Sequence, residues 1–233
     1  MNGCHYALSK HVHACETGGV LIFLDLQRDQ YFSLDRNASE LLAPLLSGTR
    51  EDIEGDEEHQ RTLRRTVDLL MAQRLLSLNS GPVGQALPVG WVRPTESLVQ
   101  ARYRSLSNIP PTWFIDFLYA AVLAAGKLRW WSIARIVESI RVRRPEHAGV
   151  DPEKVADLMS AFVTLRPLFP KSYVCLFDSL ASLELLARHN CFPQWVFAVK
   201  ASPFGAHCWL QDGELVLNDS AEHVSAYTPI MVV

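Results

Sequence analysis

Cysteine, histidine and aspartate, the residue types of a cysteine-nucleophile catalytic site, occur together in the last third of the chain. Cys175 precedes leucines at helical spacing, His207 opens an apolar run, and Asn218-Asp219 closes the next one. A thiolate attacks a carbonyl carbon, an imidazole moves the proton, and a carboxylate orients the imidazole. These residues therefore predict acyl chemistry through a thioester, provided that the fold brings them together.

Cys175 is predicted to lie at the N-terminus of a helix that runs to Arg188. The unpaired N–H groups and partial positive charge of a helix N-terminus favour the thiolate. A buried, inert thiol is the alternative interpretation. Cys191 lies past the helix end, and Cys208 is expected to point to the strand face opposite His207. We expect both to be packing residues.

The Asp212-Gly213 pair predicts a hairpin turn that returns the chain toward His207. With a two-residue Asp-Gly loop, His207 faces Asn218 and Asp219 is offset by one position. An irregular loop or a bulge would place Asp219 opposite His207 instead. The turn alone leaves both residues open as partners of the imidazole.

The segment from about residue 172 to 230 resembles the leader peptidases of lasso-peptide biosynthesis, which are transglutaminase-like (papain-like) cysteine peptidases. The resemblance rests on Cys175-Leu176, Ser179-Leu180, the PFGAHCW run at 203–209 and Leu217-Asn218-Asp219. It implies that Cys175 is the nucleophile, that His207 is the general base and acid, and that Asp219 orients the imidazole. Cys208 departs from the family pattern, where a small residue is more usual.

The front of the chain resembles the leader-recognition element of enzymes that mature ribosomal peptides, whose type is the small chaperone of pyrroloquinoline quinone biosynthesis. We predict a β-hairpin over 20–26 and 31–34, a third strand within 6–15, a helix from Asp35, and a second helix over 56–76. Such elements hold a leader peptide as an added strand. The leader-binding residues expected here are Leu21, Phe23, Tyr31, Phe32, Ser33 and Leu34. The alternative is that these side chains only complete a small core.

The predicted fold is α+β, with three parts along the chain. A winged-helix-like leader-binding domain spans residues 1–80, a Gly/Pro-rich linker 81–94, and the peptidase domain 95–233. The peptidase domain begins with helices over 110–125, 128–142 and from Asp151 to before Pro170. A helix from Cys175 and three strands follow, the first over 195–199.

Composition excludes several classes of function. Hydrophobic residues make up 48% and charged residues 20% of the 233 residues, and the net charge is -3. That balance is not typical of a nucleic-acid-binding protein. The apolar run Trp113–Ala125 is too short to span a bilayer.

The first residues lack a secretory signal and the five cysteines are odd in number, so a cytoplasmic protein with free thiols is expected. A zinc site from Cys191, Cys208 and nearby histidines would lack the usual close spacing, so we expect neither a metal nor a cofactor.

The function expected from the resemblance is removal of the leader from a lasso-peptide precursor before macrolactam cyclisation. The implied partners are the precursor peptide and an asparagine-synthetase-like macrolactam cyclase. Two alternatives remain open at the level of sequence. The same three residues could transfer the acyl group to an amine, or the chain could be a non-catalytic scaffold that escorts the precursor to the cyclase.

Overall fold

The structure is a computed structural model that describes residues 6–46, 57–78, 91–98, 105–145 and 151–233. The chain divides into two compact units. The first comprises Met1–Pro88 with Val199–Gly205 and Thr228–Met231, and the second comprises Val89–Ala198, Ala206–Tyr227 and Val232–Val233. Most of the predicted linker, up to residue 90, lies outside the described residues. None of the described helices is both long and apolar enough to cross a membrane.

Short strands and two helices form the front of the first unit. They are β1 (Tyr6–Leu8), β2 (Val12–Thr17), β3 (Val20–Asp25), β4 (Gln30–Ser33), α1 (Arg36–Leu46), α2 (Glu57–Ala72) and β5 (Leu76–Leu78). Strands β2, β3 and β4 form an antiparallel sheet in that order, and β1 pairs with β5. The predicted hairpin is therefore present.

Strand β3 is the central strand of this sheet, and its residues from Leu21 to Asp25 are all buried. Leu21 and Phe23 pack with Leu42 of α1 and Val67 of α2 in one apolar cluster. The other face of β3 is also apolar, so both faces of the strand are covered. Period-two alternation, the usual signal for a strand with one wet face, is consequently absent from its sequence.

Two predictions for the first unit are wrong in their boundaries. The third strand, expected within 6–15, is split into β1 and β2, which pair with different strands. The second helix ends at Ala72 rather than at residue 76. Arg74 adopts a left-handed φ of 61°, which stops the helix and lets Leu76–Leu78 pair with β1.

In the described residues of the second half of the chain, the structure has five α-helices and a five-stranded sheet. The elements are β6 (Glu96–Ser97), α3 (Pro111–Trp130), α4 (Ile133–Arg143), α5 (Pro152–Leu165), α6 (Cys175–Arg188), β7 (Gln194–Lys200), β8 (Gly205–Asp212), β9 (Leu215–Val216), α7 (Ala221–Val224) and β10 (Thr228–Val232). The strand order is β10-β7-β8-β9-β6. The predicted helix from Cys175 and the strands after it are present.

Helix boundaries follow the capping residues. Asp151 caps α5 by accepting hydrogen bonds from the backbone N–H groups of Glu153 and Lys154, as predicted. Helix α3 runs to Trp130, five residues beyond its predicted end, because the apolar face extends through Gly126. Ser132 then caps α4, so that helix begins at Ile133 rather than at residue 128.

The hairpin between β8 and β9 differs from the prediction by one residue. Gln211 pairs with Val216 and Asp212 with Leu215, so the two loop residues are Gly213 and Glu214. Gly213 supplies the left-handed conformation, with φ 55°. The condition under which His207 would face Asn218, a loop formed by Asp212 and Gly213, is therefore not met.

A buried carboxylate joins three helices of the second unit. Glu184 of α6 accepts hydrogen bonds from Lys127 of α3, at 2.7 Å, and from Arg143 of α4, at 2.7 and 2.9 Å. Burial alone would raise the pKa of Glu184, but the two cations hold it below its ordinary value. The ion pairs thus keep a charge in the core that would otherwise be costly there.

We expect Glu184→Ala to lower the free energy of unfolding of the second unit by about 3 kcal/mol, because Lys127 would be left buried without a counter-ion. All six tryptophans lie between Trp91 and Trp209, within that unit, so urea unfolding followed by tryptophan fluorescence measures it. The matched control is Arg188→Ala, which lies on α6 like Glu184. It breaks the more exposed ion pair with Asp116 of α3, and this loss should cost about 1 kcal/mol or less. Equal losses for the two variants would contradict this role of Glu184.

Candidate active site

The thiol of Cys175 lies in the first turn of α6, as predicted. Val174 is the N-cap residue, and its backbone N–H donates to Asp178 of the same helix at 3.1 Å. Asp178 thereby satisfies the backbone N–H of the N-cap residue itself, while the apolar side chain of Val174 offers no acceptor to the N–H groups that follow. The hydrogen bond helps to hold the first turn in place.

Arg166 holds the segment that leads into Cys175. Its side chain is almost fully buried and forms an ion pair with Asp178. The same guanidinium donates to three backbone carbonyls of the preceding loop, those of Phe169, Lys171 and Ser172, at 3.0–3.2 Å. The planar, five-donor guanidinium suits this arrangement, which a lysine could not reproduce. We infer that Arg166 is a positioning residue for the helix start.

His207 of β8 lies between Cys175 and Asp219. Its Nε2 is 2.5 Å from a carboxylate oxygen of Asp219, and the thiol of Cys175 lies beside its ring, close enough for each group to shift the pKa of the other. Because Nε2 faces Asp219, the other ring nitrogen, Nδ1, is the one left for the sulfur. The side chains of His207 and Asp219 are 12% and 20% exposed, so the pair is largely shielded from water. The three predicted residues are brought together.

Asn218, the alternative partner of the imidazole, has a different position. Its side-chain oxygen accepts the backbone N–H of Leu210 at 2.7 Å, and its Nδ2 donates to Ser179 at 2.9 Å. Ser179, fully buried one turn after Cys175, donates in turn to the backbone carbonyl of Cys208 at 3.1 Å. Asn218 and Ser179 therefore link α6 to β8 beside the site, and the residue on His207 is Asp219.

Cys208 was expected to be a packing residue that points away from the site. It is buried, and its thiol donates to the hydroxyl of Ser179 at 3.8 Å. The neighbouring Cys175 thiol and burial raise the pKa of Cys208 well above its ordinary value, so this thiol stays protonated. The expectation that Cys208 lies apart from the nucleophile is wrong.

The contacts of Cys175 favour its thiolate. Hydrogen bonds from Cys208 and then from His207 lower its pKa to about 4, against the opposing effect of burial. Burial would lower the pKa of His207, but the hydrogen bonds to Asp219 and Cys175 raise it to about 9. Between those two values the pair is a thiolate and an imidazolium. A thiolate is the reactive form of cysteine, and an imidazolium can give a proton to a leaving group.

His223 and Tyr227 complete the surroundings of the imidazole. His223, on the short helix α7, places Nδ1 3.0 Å from both oxygens of Asp219. The His207 ring lies 4.9 Å from the His223 ring and 5.2 Å from the Tyr227 ring, centroid to centroid. The carboxylate of Asp219 therefore hydrogen-bonds two imidazoles, those of His207 and His223. His207 is the one that lies beside Cys175.

The predicted leader-binding residues lie in the first unit, with unequal exposure. Leu21 is 5% and Phe23 0% exposed, so both belong to the core. Tyr31, Phe32 and Leu34 are partly buried, and Ser33 is exposed. The side chains of Leu21 and Phe23 do not face a partner, because the helices of the same unit cover them.

Sequence reasoning missed Arg166, Cys208 and His223. The spacing of His223, four residues after Asp219 at the start of a helical turn, is a signal that could have placed both on one face. Arg166 carried no such signal, since its partners are mostly backbone carbonyls, which no residue pattern reveals. Ser179 belongs to the motif that identified the region, but its link to Asn218 depends on the tertiary fold.

We expect Cys175 to react with iodoacetamide at a nearly constant rate from pH 5 to pH 8, because its pKa of about 4 keeps it a thiolate throughout. An ordinary thiol would slow about tenfold per pH unit below its pKa. Cys208→Ala removes a donor to the thiolate and should raise the pKa of Cys175, so that alkylation at pH 5 slows. Cys208→Ser, which keeps a donor, is the matched control. Mass spectrometry of the Cys175 peptide gives the rates, and a tenfold rise per unit through pH 7 in the unmodified protein would contradict this assignment.

A family model matches the part of the chain that carries the site. Residues 118–232 match the family model described as Transglutaminase-like superfamily. No curated protein matches the chain significantly. A solved structure of TbiB1 in complex with the TbiA(beta) leader peptide aligns with 32% of this chain and 99% of its own, at 24% identity and a TM-score of 0.27. At that TM-score the likeness carries no argument about this chain.

The family match begins in α3 and contains every element that builds the site. It includes α6 with Cys175, β8 with His207, and Asp219. The segment that carries the site, residues 118–232, is therefore similar to the transglutaminase-like superfamily, within a protein of mixed α and β structure.

Proposed function

We propose that the chain is a cysteine peptidase that cleaves the leader from the core of a lasso-peptide precursor. The observation that carries the proposal is the position of the His207 imidazole, in contact with the thiol of Cys175 on one side and with Asp219 on the other. Cys175 is the nucleophile, His207 the general base and acid, and Asp219 the residue that orients the imidazole. These are the roles that the resemblance to lasso-peptide leader peptidases implies.

The reaction follows from the ion pair. The Cys175 thiolate attacks the carbonyl carbon of the bond between leader and core, and backbone N–H groups at the start of α6 stabilise the oxyanion. His207 gives its proton to the departing amine of the core peptide, and the leader stays bound as a thioester. Water then attacks the thioester while His207 takes up a proton, and the leader leaves with a free carboxylate.

The same three residues support a second reaction, transfer of the acyl group to an amine. The transglutaminase-like superfamily includes both cysteine peptidases and acyltransferases. The thioester is common to both, and only the acceptor differs. Hydrolysis is the proposal because the motif around Cys175, His207 and Asp219 resembles that of leader peptidases in particular.

Cys175→Ala should abolish leader removal from a lasso-peptide precursor, since it removes the thiol that forms the thioester. The matched control, Cys15→Ala, removes another partly buried thiol, outside the site, and should cleave at the normal rate. Mass spectrometry of the products distinguishes the two chemistries. A leader ending in a free acid supports hydrolysis, and a leader joined to an added amine indicates transfer. Unchanged cleavage by Cys175→Ala would contradict the assignment of Cys175 as the nucleophile.

The first unit is proposed to be the winged-helix-like element that binds the leader. Strand β4 lies at one end of the order β2-β3-β4, so it has a side with no strand of that sheet beside it. The backbone N–H of Leu34 donates to Leu21 at 3.0 Å, which makes Phe32 another residue whose backbone faces β3. By the alternation of antiparallel pairing, the backbone of Ser33 is directed away from β3. An extended leader could add to the sheet there.

Burial limits which of the predicted leader-binding residues can contact the leader peptide. Leu21 and Phe23 stabilise the unit from inside and support the leader-binding strand rather than contact the leader. Tyr31 packs its ring against Phe204 at 5.9 Å, within the same unit, so a change at Tyr31 would have more than one effect. Ser33 is the position at which the leader edge can be tested with the least disturbance.

Ser33→Pro should weaken leader binding roughly three- to tenfold, the value of one backbone hydrogen bond. Proline is tolerated on an edge strand where its missing N–H would have pointed away from the sheet. Ser33→Ala, which keeps that N–H, is the control and should bind normally. Fluorescence anisotropy of a labelled leader peptide gives the affinities, and alkylation of Cys175 reports whether the rest of the protein is intact. An unchanged affinity for Ser33→Pro would exclude this edge.

The proposed partners are the precursor peptide and a macrolactam cyclase of the asparagine-synthetase type, in the cytoplasm. Cleavage frees the amine of the core peptide, which is the group that such a cyclase would join to a carboxylate. Binding of the leader by the first unit would raise the effective concentration of the cleavage site near Cys175, so the site itself need not select a long sequence.

A further inference from the structure

Asp219 is shared by His207 and by a second imidazole that the proposed peptidase reaction does not use. His207 Nε2 and His223 Nδ1 lie 2.5 and 3.0 Å from the carboxylate. One ligand atom from each of the three side chains lies within 4.8 Å of the others. The side chain of His223 is 51% exposed, so the group is reached from solvent on that side.

We propose that His207, Asp219 and His223 together bind a zinc ion, and that zinc bound there stops the peptidase reaction. The second half of the proposal rests on the proposed function, and the first half does not. The zinc would be a reversible inhibitor, since the mechanism described above uses no metal.

The set of ligand atoms fits zinc. Two imidazole nitrogens and one carboxylate oxygen are the protein ligands of many three-residue zinc sites, with water in the fourth position. Ligands at zinc's bond lengths in a tetrahedral site stand about 3.3 Å apart. The two distances to Asp219 are shorter than this by less than an ångström, so small side-chain rotations would admit the ion. Magnesium prefers six oxygen ligands and should not bind.

Cys175 is not a ligand in this arrangement. It contacts His207 through the ring nitrogen that does not face Asp219, so the sulfur and the proposed ion lie on opposite sides of the imidazole. This separates the proposed site from a zinc ion bound directly by the thiolate, which is the usual way that zinc blocks a cysteine nucleophile. Substitution of the sulfur therefore distinguishes the two.

The effect on catalysis follows from the protons. Zinc at Nε2 displaces the proton that His207 shares with Asp219, and that proton goes to water. The ring keeps one proton, on Nδ1, and remains a donor to the Cys175 thiolate. A neutral, zinc-bound imidazole releases that proton much less readily than an imidazolium does, so the departing amine lacks an acid. Asp219, occupied by the ion, no longer orients the ring.

Zinc binding is measured on the full-length, metal-free protein by competition with a chromophoric zinc chelator. We expect one ion per chain at this site, weakening by at least roughly tenfold in His223→Ala, the lower end of what loss of a supporting group costs a metal site. His59→Ala, the same change on an exposed face of α2, is the matched control and should bind normally. Cys175→Ser should also keep its affinity. Loss of binding in Cys175→Ser with normal binding in His223→Ala would overturn the proposed site.

Inhibition is then measured as the ratio of leader cleavage with and without zinc, for each protein relative to its own zinc-free rate. Zinc should slow the unmodified protein and His59→Ala equally, and His223→Ala should need at least tenfold more zinc for the same effect. Magnesium at the same concentrations should change nothing. Zinc that binds through His223 without slowing cleavage would overturn the inhibitory role. If the zinc-free protein cleaves no precursor, the proposed function fails while the binding result stands.

Discussion

The hydrogen bond between His207 and Asp219 is the constraint on which the rest of the site depends. An imidazole can turn either nitrogen toward a neighbour, and a thiol alone does not decide which. With Nε2 held by a carboxylate, Nδ1 is committed to Cys175, and the charge on the ring is stabilised where the thiolate needs it. The helix that carries the sulfur and the strand that carries the imidazole must then be held at a fixed distance from each other.

That distance is kept by buried polar groups rather than by apolar packing alone. Ser179 and Asn218 bind α6 to β8 and to the chain just before Asp219. Arg166 holds the loop before Cys175 by donating to three of its backbone carbonyls. Apolar contacts tolerate sliding, whereas hydrogen bonds inside a protein are directional and costly to leave unmade. The site is therefore positioned by a few satisfied polar contacts within an apolar core.

Local patterns in the sequence were enough for the elements that carry the site. Cys175 begins α6, and Asp151 caps α5. Local patterns did not predict the structure where strand register or strand pairing depends on segments that are far apart in the sequence. The hairpin register moved by one residue because Gly213 takes a left-handed conformation as the first loop residue, not the second. Leu76 pairs with a strand at the other end of the unit, so its helical spacing was misleading.

The residues of the candidate site could be predicted from the sequence, but the side chains that surround them could not. Cys175 and His207 followed from residue type and position, while the choice of Asp219 over Asn218 needed a family resemblance. Cys208 was misjudged because strand alternation gives the direction of a side chain relative to its own strand, and not which side chains of a neighbouring helix lie close to it. The predicted leader-binding residues included both core and surface residues. Strand β3 is apolar on both faces, so its sequence does not show which of its side chains are exposed.

Helix α6 is fastened at two levels along its length. Ser179 fixes it to the sheet near Cys175, and Glu184 fixes it to Lys127 and Arg143 further along. One residue inserted between the thiol and these anchors would rotate the sulfur by about 100° around the helix axis and away from the imidazole. The segment from Cys175 to Glu184 therefore has a length that evolution cannot adjust by single insertions or deletions. Variation in length among related chains has to fall in the loops before Arg166 or after the helix ends at Arg188.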